Sequence, residues 1–294
     1  MPEIENYDVY NDRMRRSMWD KAFFMDKIPE AELIIDYGCA DGSLIRFLHA
    51  LFPAMRFIGF DIDPAMTAAA NAHRSENTWF MSSMDDVLRK TRELGVDGDS
   101  IAINFSSVLH EVFHYGFDLD SLRGFIRAVS PRYLVVRDMM YMSEDDSAPA
   151  NEAAVGRIRE ALPDWQIRDF ESCFGSISVR KNLVHLLLKY KYTENWAREC
   201  RENYFSYSME DLTAALDPSG EFETILLSRC ILPWCRCDME NTFGIDPGHE
   251  LTTHFSAIFA RRDAQARISL NAPHKSDPSH RKPTAQGGKQ YDEA

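Results

Sequence analysis

A chain of 294 residues, 45% of them apolar, is long enough to form one large domain, or one domain with an insertion, around a full hydrophobic core. Its net charge of −13 argues against tight non-specific binding to nucleic acid, because such binding depends on basic side chains at the phosphates. The six scattered cysteines form no disulfide framework, no apolar run approaches the ~20 residues that span a bilayer, and the N-terminus lacks the pattern of a signal peptide. We therefore expect a cytoplasmic protein that makes no membrane contact.

The first predicted element is an amphipathic helix over residues 11–27. Apolar residues such as Met18 and Met25 recur in it at helical spacing, and Pro29 ends it. We expect residues 1–32 to form a helical cap before the first strand.

A short apolar run at residues 33–35 leads into an acid and a glycine loop. Such a run predicts a buried strand of a parallel sheet. Gly38 and Gly42 permit backbone angles, and a close approach of a ligand, that a side chain would prevent. Residues 43–51 then carry their apolar side chains on one helical stripe. A strand, a glycine loop and a helix in this order place free backbone N–H groups beneath a bound ligand.

The second predicted strand, residues 56–62, contains an acid near its end. Asp61 lies about 20 residues beyond Gly38, which is the spacing of an acid that accepts hydrogen bonds from two ribose hydroxyls. Asp63 and Pro64 then favour the start of a helix, the first as its cap and the second in its first turn.

The loop Asp36-x-Gly38-Cys39-x-x-Gly42, together with Asp61, resembles motif I and the acidic second motif of the class I, Rossmann-like methyltransferases that use S-adenosylmethionine. The resemblance implies an α/β fold with a doubly wound, mostly parallel, seven-stranded sheet. It also implies that the loop wraps the methionine part of the cofactor, which carries no phosphate.

The same resemblance implies a set of cofactor contacts. Ala40 departs from the commonest form of the motif and crowds the loop, and the acid that usually follows the third strand is missing near Ser83. The residues expected at S-adenosylmethionine are Asp36, Gly38, Cys39, Ala40, Gly42, Asp61, Ile62, Ser83, Met84, Asn104, Phe105 and Ser106.

Three more short strands are predicted, at residues 78–81, 100–105 and 133–137, with helical stretches between them. Strands that alternate with helices are typical of a doubly wound sheet. We assign residues 33–142 to the cofactor-binding core.

The string His110-Glu111-Val112-Phe113-His114 follows the fourth predicted strand and matches the H-E-x-x-H pattern of zinc peptidases. Its place at the acceptor end of a parallel strand argues against a peptidase. A metal that assists methyl transfer is an alternative, because the terminal 2′-O-methyltransferases of small RNAs carry Glu-x-x-Glu-His after the same strand. We favour a site without metal, in which His110 or His114, supported by Glu111, is the general base.

Residues 143–207 interrupt the alternation of strands and helices, and a segment of this length in a compact domain is usually functional or disordered. Its aromatic residues favour order, so we interpret it as a lid over the acceptor pocket. Residues 194–204 are expected to be helical, whereas residues 183–188 fit a strand or a helix equally well. The side chains expected at the acceptor are Tyr190, Tyr192, Trp196 and Tyr204.

The core resumes at Ser208, whose hydroxyl is expected to cap a helix over residues 209–216, with Asp211 in its first turn. Residues 222–232 and 253–260 are predicted strands, joined by a long loop that contains Cys235, Cys237 and His249. With Cys230, these cysteines lack zinc-site spacing, and we expect buried free thiols. We assign residues 208–262 to the core and expect disorder over residues 263–294, which are polar and contain several prolines.

The leading hypothesis is S-adenosylmethionine-dependent methyl transfer to a small molecule. An RNA or nucleotide methyltransferase is a second hypothesis, because cations and aromatic residues between positions 180 and 204 suit nucleotides. A third is a non-catalytic protein that binds the cofactor and uses its lid to contact a partner. The acidic charge favours the first hypothesis over the second.

Overall fold

The computed structural model describes residues 17–116, 119–246 and 251–262. These residues form a seven-stranded sheet with the strand order β3-β2-β1-β4-β5-β7-β6. The strands are β1 (Leu33–Tyr37), β2 (Arg56–Phe60), β3 (Thr78–Met81), β4 (Ile101–Ser106), β5 (Tyr133–Asp138), β6 (Phe222–Cys230) and β7 (His254–Arg261).

Strands β1 to β5 run parallel to one another, whereas β7 is antiparallel to both β5 and β6. The central strands β1, β4 and β5 are almost completely buried, because helices cover both faces of the sheet. This confirms the predicted fold class, a doubly wound and mostly parallel sheet of seven strands.

Helices pack on both faces of the sheet and give it two core layers. One layer contains apolar residues from α1 (Met18–Lys21), α2 (Ser43–Leu51) and α3 (Pro64–Ala72). The other contains residues from α4 (Met84–Leu94), α5 (Leu109–His114), α6 (Leu119–Val129) and α11 (Met209–Leu216). The N-terminal helix differs from the prediction: within the described residues it is the four-residue α1, and turns follow it up to residue 27.

Residues 143–207 form a helical insertion with its own hydrophobic core. Its helices are α7 (Glu152–Ala161), α8 (Asp164–Phe174), α9 (Arg180–Lys189) and α10 (Trp196–Glu199). Residues 183–188, whose sequence fitted a strand or a helix equally well, are helical, since they lie within α9. The predicted helix over residues 194–204 is wrong, because only a short 3₁₀ turn, α10 and further turns occur there.

A helix that the sequence did not predict joins β6 to β7. It is α12 (Pro233–Phe243), and it packs into the core of the insertion through Cys235 and Met239. The expected loop is therefore wrong for Cys235 and Cys237, while His249 lies outside the described residues. Cys235 is a buried free thiol as expected, but Cys230 is half-buried and Cys237 is exposed. None of the described helices has the length and hydrophobicity of a membrane span.

Candidate functional site

The glycine loop after β1 is held in an unusual backbone conformation. Gly38, Ala40 and Gly42 have φ angles of 79°, 45° and 74°, all in the left-handed region. A Cβ atom at Gly38 would lie 2.4 Å from Cγ2 of Val108, and one at Gly42 would lie 2.6 Å from Cε1 of Phe80. Both glycines are therefore required by the backbone angle and by packing, while Ala40 tolerates the strain at one position.

Asp61 links this loop to the end of β2. Its Oδ2 accepts a hydrogen bond of 2.8 Å from the backbone N–H of Ala40, and its Oδ1 accepts one of 2.9 Å from the N–H of Asp63. Burial raises the pKa of the Asp61 carboxyl, and these two hydrogen bonds oppose the rise. Each carboxylate oxygen keeps a further lone pair for a ligand hydroxyl. Ile62, beside it, leaves 51% of its side chain exposed.

A second polar pair lies at the ends of β1 and β4. Asn104 donates a hydrogen bond of 2.7 Å from Nδ2 to Oδ1 of the buried Asp36. Burial raises the pKa of Asp36 to about 6, despite this hydrogen bond. Among the described residues, nothing donates to the buried Oδ1 of Asn104 or bonds to the hydroxyl of Ser106. Since buried polar atoms are normally satisfied, these atoms favour a ligand at this point.

The remaining predicted cofactor residues differ in burial and in hydrogen bonding. The side chains of Cys39 and Phe105 are buried in the two core layers, so only their backbone can face a ligand. Ser83 precedes α4, but its hydroxyl makes no capping hydrogen bond, and Met84 is half-buried. We use the name cofactor cleft for the carboxyl edge of the sheet at β1 and β4, where the order of the strands reverses and where doubly wound sheets bind their ligands.

His110 is clamped between two carboxylates. Its Nδ1 lies 2.7 Å from Oδ1 of Asp138, at the end of β5, and its Nε2 lies 3.3 Å from Oε1 of Glu202, in the insertion. Oδ2 of Asp138 also accepts hydrogen bonds from the backbone N–H groups of Leu109 and His110, at 2.8 and 3.3 Å. All three side chains of the clamp are buried. The clamp therefore joins the sheet to the insertion.

The electrostatics of this clamp disfavour the general base predicted at His110, which stays a prediction. Burial by itself lowers the pKa of His110, but the charges and hydrogen bonds of Asp138 and Glu202 outweigh burial and raise it to about 10. Burial by itself raises the pKa of Glu202, but the hydrogen bond and charge of His110 and the charge of Arg198 outweigh burial and lower the pKa to about 2. A protonated ring with both nitrogens bonded to carboxylates has no lone pair for a substrate proton.

Glu111 and His114 also contact the insertion. Nη2 of Arg198 lies 3.5 Å from Oε1 of Glu111 and 3.0 Å from Oε2 of Glu202. Burial, followed by the charge of Glu202, raises the pKa of Glu111 to about 7. Nε2 of His114 donates a hydrogen bond of 2.6 Å to the carbonyl oxygen of Arg201.

Three of these side chains could supply metal ligands. One ligand atom each of His110, Glu111 and Glu202 lies within 4.8 Å of the others. The cations that these carboxylates hold are the imidazolium of His110 and the guanidinium of Arg198. A metal ion would have to replace the ring proton between His110 and Glu202 and displace the guanidinium of Arg198, so this arrangement favours an ion-pair network.

A cavity of about 110 Å³ lies between the sheet and the insertion. Tyr192 and Tyr204, both predicted at the acceptor, line it. Tyr190 and Trp196 are not among the lining residues. The Tyr190 hydroxyl donates a hydrogen bond to Asp238, and Nε1 of Trp196 donates one to Asp169. Other lining residues that the sequence analysis did not single out are Lys21, Arg137, Asn195, Arg198, Trp234 and His254.

One signal in the sequence could have identified part of this network. Asp138 is the last residue of the apolar strand β5 and Asp61 directly follows β2, and polar residues at the carboxyl ends of parallel strands lie near bound ligands. Glu202 and Arg198 carry no such signal, because their role depends on where the insertion folds back onto the sheet.

No protein family model matches the sequence, and no curated protein matches it. Similar solved structures include a SAM-dependent methyltransferase from Anabaena variabilis, at 16% identity over 89% of this chain and 97% of that chain, with a TM-score of 0.47. An S-adenosylmethionine dependent methyltransferase from Mesorhizobium loti has 16% identity over 83% and 98%, with a TM-score of 0.47. A Haloferax volcanii complex of the Trm112 methyltransferase activator with a putative methyltransferase has 15% identity over 86% and 94%, with a TM-score of 0.48. Similarities of this size assign neither an activity nor a substrate to this chain.

Proposed function

We propose that this chain is an S-adenosylmethionine-dependent methyltransferase that acts on a small molecule in the cytoplasm. The observation that carries the proposal is the pairing of Asp61 with the glycine loop through the N–H of Ala40, at 2.8 Å. It places an acid suited to a ribose beside a left-handed loop, in a doubly wound sheet whose strand order reverses at that point.

The residues of the cleft fit this cofactor. Asp61 offers lone pairs to the two ribose hydroxyls, and the exposed Ile62 offers an apolar surface to the adenine. The buried Oδ1 of Asn104, beside Asp36, supplies acceptor capacity for the ammonium group of the methionine part. The one described cation bonded to the glycine loop, Arg46, is neutralised by Asp41 of the same loop, which suits a ligand without phosphates better than a dinucleotide.

When bound, the cofactor supplies a methyl group on a positively charged sulfur, which leaves without help from an acid. The protein must then hold the acceptor in line with that group and exclude water, because alignment provides much of the rate. The cavity between β5, β7 and the insertion is the place for the acceptor, since Ser107 lines it and directly follows β4.

Several of the described aromatic and basic side chains that suggested an RNA acceptor are occupied within the insertion. Tyr190 and Tyr204 are buried, so their rings are not free to stack on bases. The cations Lys181, Lys189 and Lys191 pair with Asp146, Glu199 and Asp238, respectively. These contacts support a small acceptor over RNA.

Binding and transfer can be tested separately. Calorimetric titration with S-adenosylhomocysteine should give a saturable signal, whereas NAD should give none. Labelled S-adenosylmethionine should then transfer label to a pool of metabolites and not to a pool of RNA. Binding without any transfer would favour the non-catalytic hypothesis, and the absence of binding would overturn the proposal.

A further inference from the structure

We infer that the methyl acceptor is a small carboxylic acid, held by its carboxylate at Lys21 and Arg137, and that the reaction forms its methyl ester. This inference rests on the proposed function and specifies the acceptor class of the same site. It starts from the charges that line the cavity.

Lys21 is a buried cation, and the part of the chain that the structure describes offers it no hydrogen-bond or ion-pair partner. It lies on α1, lines the cavity and is only 4% exposed. Among the described residues, none forms a hydrogen bond or an ion pair with its ammonium group. Burial, followed by the charge of Arg137, lowers its pKa to about 8, so the group is mostly protonated at neutral pH. Lysine is rarely buried without a counter-charge, because desolvation of the ammonium is expensive.

The carboxylates near Lys21 are held by other groups. Asp36, Asp138 and Asp20 raise the pKa of Lys21 through space. Asp36 accepts a hydrogen bond from Asn104, and Asp138 is bonded to His110. An anion in the cavity would supply the missing partner.

Arg137, near the end of β5, is a second cation in the lining of the cavity. Its Nη1 donates a hydrogen bond of 2.7 Å to the hydroxyl of Ser107, and its Nε donates one of 2.7 Å to Oδ2 of Asp20. For the two cations Lys21 and Arg137, the described residues therefore provide one ion-paired carboxylate, that of Asp20, which is paired with Arg137. The other charged residues of the lining are balanced, since Arg198 pairs with Glu202 and Glu199 with Lys189.

The rest of the lining suits the body of a small organic acid. The apolar and aromatic side chains are Leu188, Tyr192, Tyr204, Leu232 and Trp234. Asn195 adds a buried Oδ1 that bonds to none of the described residues. A rotation of its amide would instead present the NH₂ group to an anion. A volume of about 110 Å³ is the space of a few water molecules, which limits the acceptor, or the part of it that enters, to a small group.

A carboxylate acceptor also suits the lack of a strong free base among the described residues that line the cavity. His110 is protonated and bonded through both ring nitrogens. His254 lines the cavity, but burial and the nearby cations Arg137, His110 and Lys21 lower its pKa well below the usual value, which makes it a weak proton acceptor. A carboxylic acid with a pKa of about 4 is already ionised at neutral pH, so no proton has to be removed.

The reaction then balances without a proton acceptor. A lone pair of the carboxylate oxygen forms the new oxygen–carbon bond to the methyl group while the sulfur–carbon bond breaks. The electron pair of that bond stays on sulfur, so the negative charge of the acceptor and the positive charge of the donor are both neutralised. The products are a methyl ester and the neutral thioether S-adenosylhomocysteine.

Binding tests the charge of the acceptor. With S-adenosylhomocysteine saturating, acetate should bind by calorimetry at least about tenfold more tightly than the neutral acetamide, which has a similar size but no charge to pair with Lys21. Lys21→Met should remove most of this preference and leave the affinity for S-adenosylhomocysteine unchanged. Lys27→Met, which changes an exposed lysine of the same segment, should alter neither. Equal binding of acetate and acetamide would overturn the inference, as would a loss of S-adenosylhomocysteine affinity in Lys21→Met, which would assign Lys21 to the cofactor.

The product tests the atom that is methylated. The small-molecule fraction of a cell extract, incubated with the protein and labelled S-adenosylmethionine, should yield label that mild alkali releases as volatile methanol, because esters hydrolyse there. Label that resists alkali would overturn the ester, even if transfer occurs. If the protein bound no S-adenosylhomocysteine, that result would instead contradict the proposed function. Lys21→Met should fold, because it removes an unpaired buried charge, and Lys21→Gln provides a second variant of similar length.

Discussion

Nδ1 of His110 lies 2.7 Å from Oδ1 of Asp138, and this contact joins the first turn of α5 to the end of β5. The other ring nitrogen, Nε2, lies 3.3 Å from Oε1 of Glu202, and this contact connects His110 to the insertion. The histidine that the sequence marks as a base is therefore a buried cation that holds two parts of the molecule together.

Replacing His110 by Gln should lower the free energy of unfolding by about 3 kcal/mol at pH 7, because two buried carboxylates lose their cation. The folded pKa of about 10 exceeds the ordinary 6.5, so the stabilisation is complete below pH 6.5 and is lost as the pH rises towards 10. Urea denaturation between pH 6 and pH 10 should show a decline in the wild type that His110→Gln lacks. The exposed His73→Gln should behave as the wild type. An identical pH profile in His110→Gln would contradict the charged state of His110.

The stability of the protein at acid pH should depend on Glu202. Its folded pKa of about 2 lies below the ordinary 4.5, so its stabilising contribution is present above pH 4.5 and is lost as the pH falls towards 2. Glu202→Gln should flatten the loss of stability between pH 4.5 and pH 3 in thermal denaturation, while Glu76→Gln, at an exposed position, should not. An unaltered acid profile in Glu202→Gln would show that Glu202 is not ionised in the clamp.

Asp61→Asn should weaken the binding of S-adenosylhomocysteine at least about tenfold, because a charge-assisted hydrogen bond to the ribose contributes about 1.5–3 kcal/mol. The variant also loses the carboxylate that accepts from the N–H of Ala40, so the loop is less well ordered. Isothermal titration calorimetry measures the change, with Glu76→Gln as the matched acid outside the cleft. Unchanged affinity would remove Asp61 from the site.

Gly42→Ala should destabilise the protein by about 3 kcal/mol. The φ angle of 74° strains any residue with a Cβ, and that Cβ would lie 2.6 Å from Phe80. Gly156→Ala, in the middle of α7, has open space around its Cβ and should instead stabilise the protein by about 0.5–1 kcal/mol. Chemical denaturation of both variants gives the comparison, and equal effects of the two substitutions would contradict the strained loop.

Local features of the sequence predicted much of the fold. Short apolar runs predicted the strands, because a buried parallel strand needs a continuous apolar stretch. Ser208 and Asp211 predicted the start of α11, and the Ser208 hydroxyl does accept a hydrogen bond of 3.1 Å from the N–H of Asp211. Asp61 meets the glycine loop as its spacing suggested, since both lie at the same edge of adjacent parallel strands. Each of these features depends on residues that are close in sequence or fixed by one strand pairing.

The tertiary structure alone decided the rest. Residues 183–188 form a helix because the insertion and α12 bury them together, which an apolar run by itself does not specify. The protonation of His110 depends on Asp138 and Glu202, which reach it from another strand and from the insertion. Lys21 resembles any lysine in sequence, and its burial, without an ion pair to any described residue, arises only where α1, β5 and the insertion enclose the cavity. The pKa of a side chain depends on the distances to its neighbours and on its contact with water, and these are set only once the chain has folded.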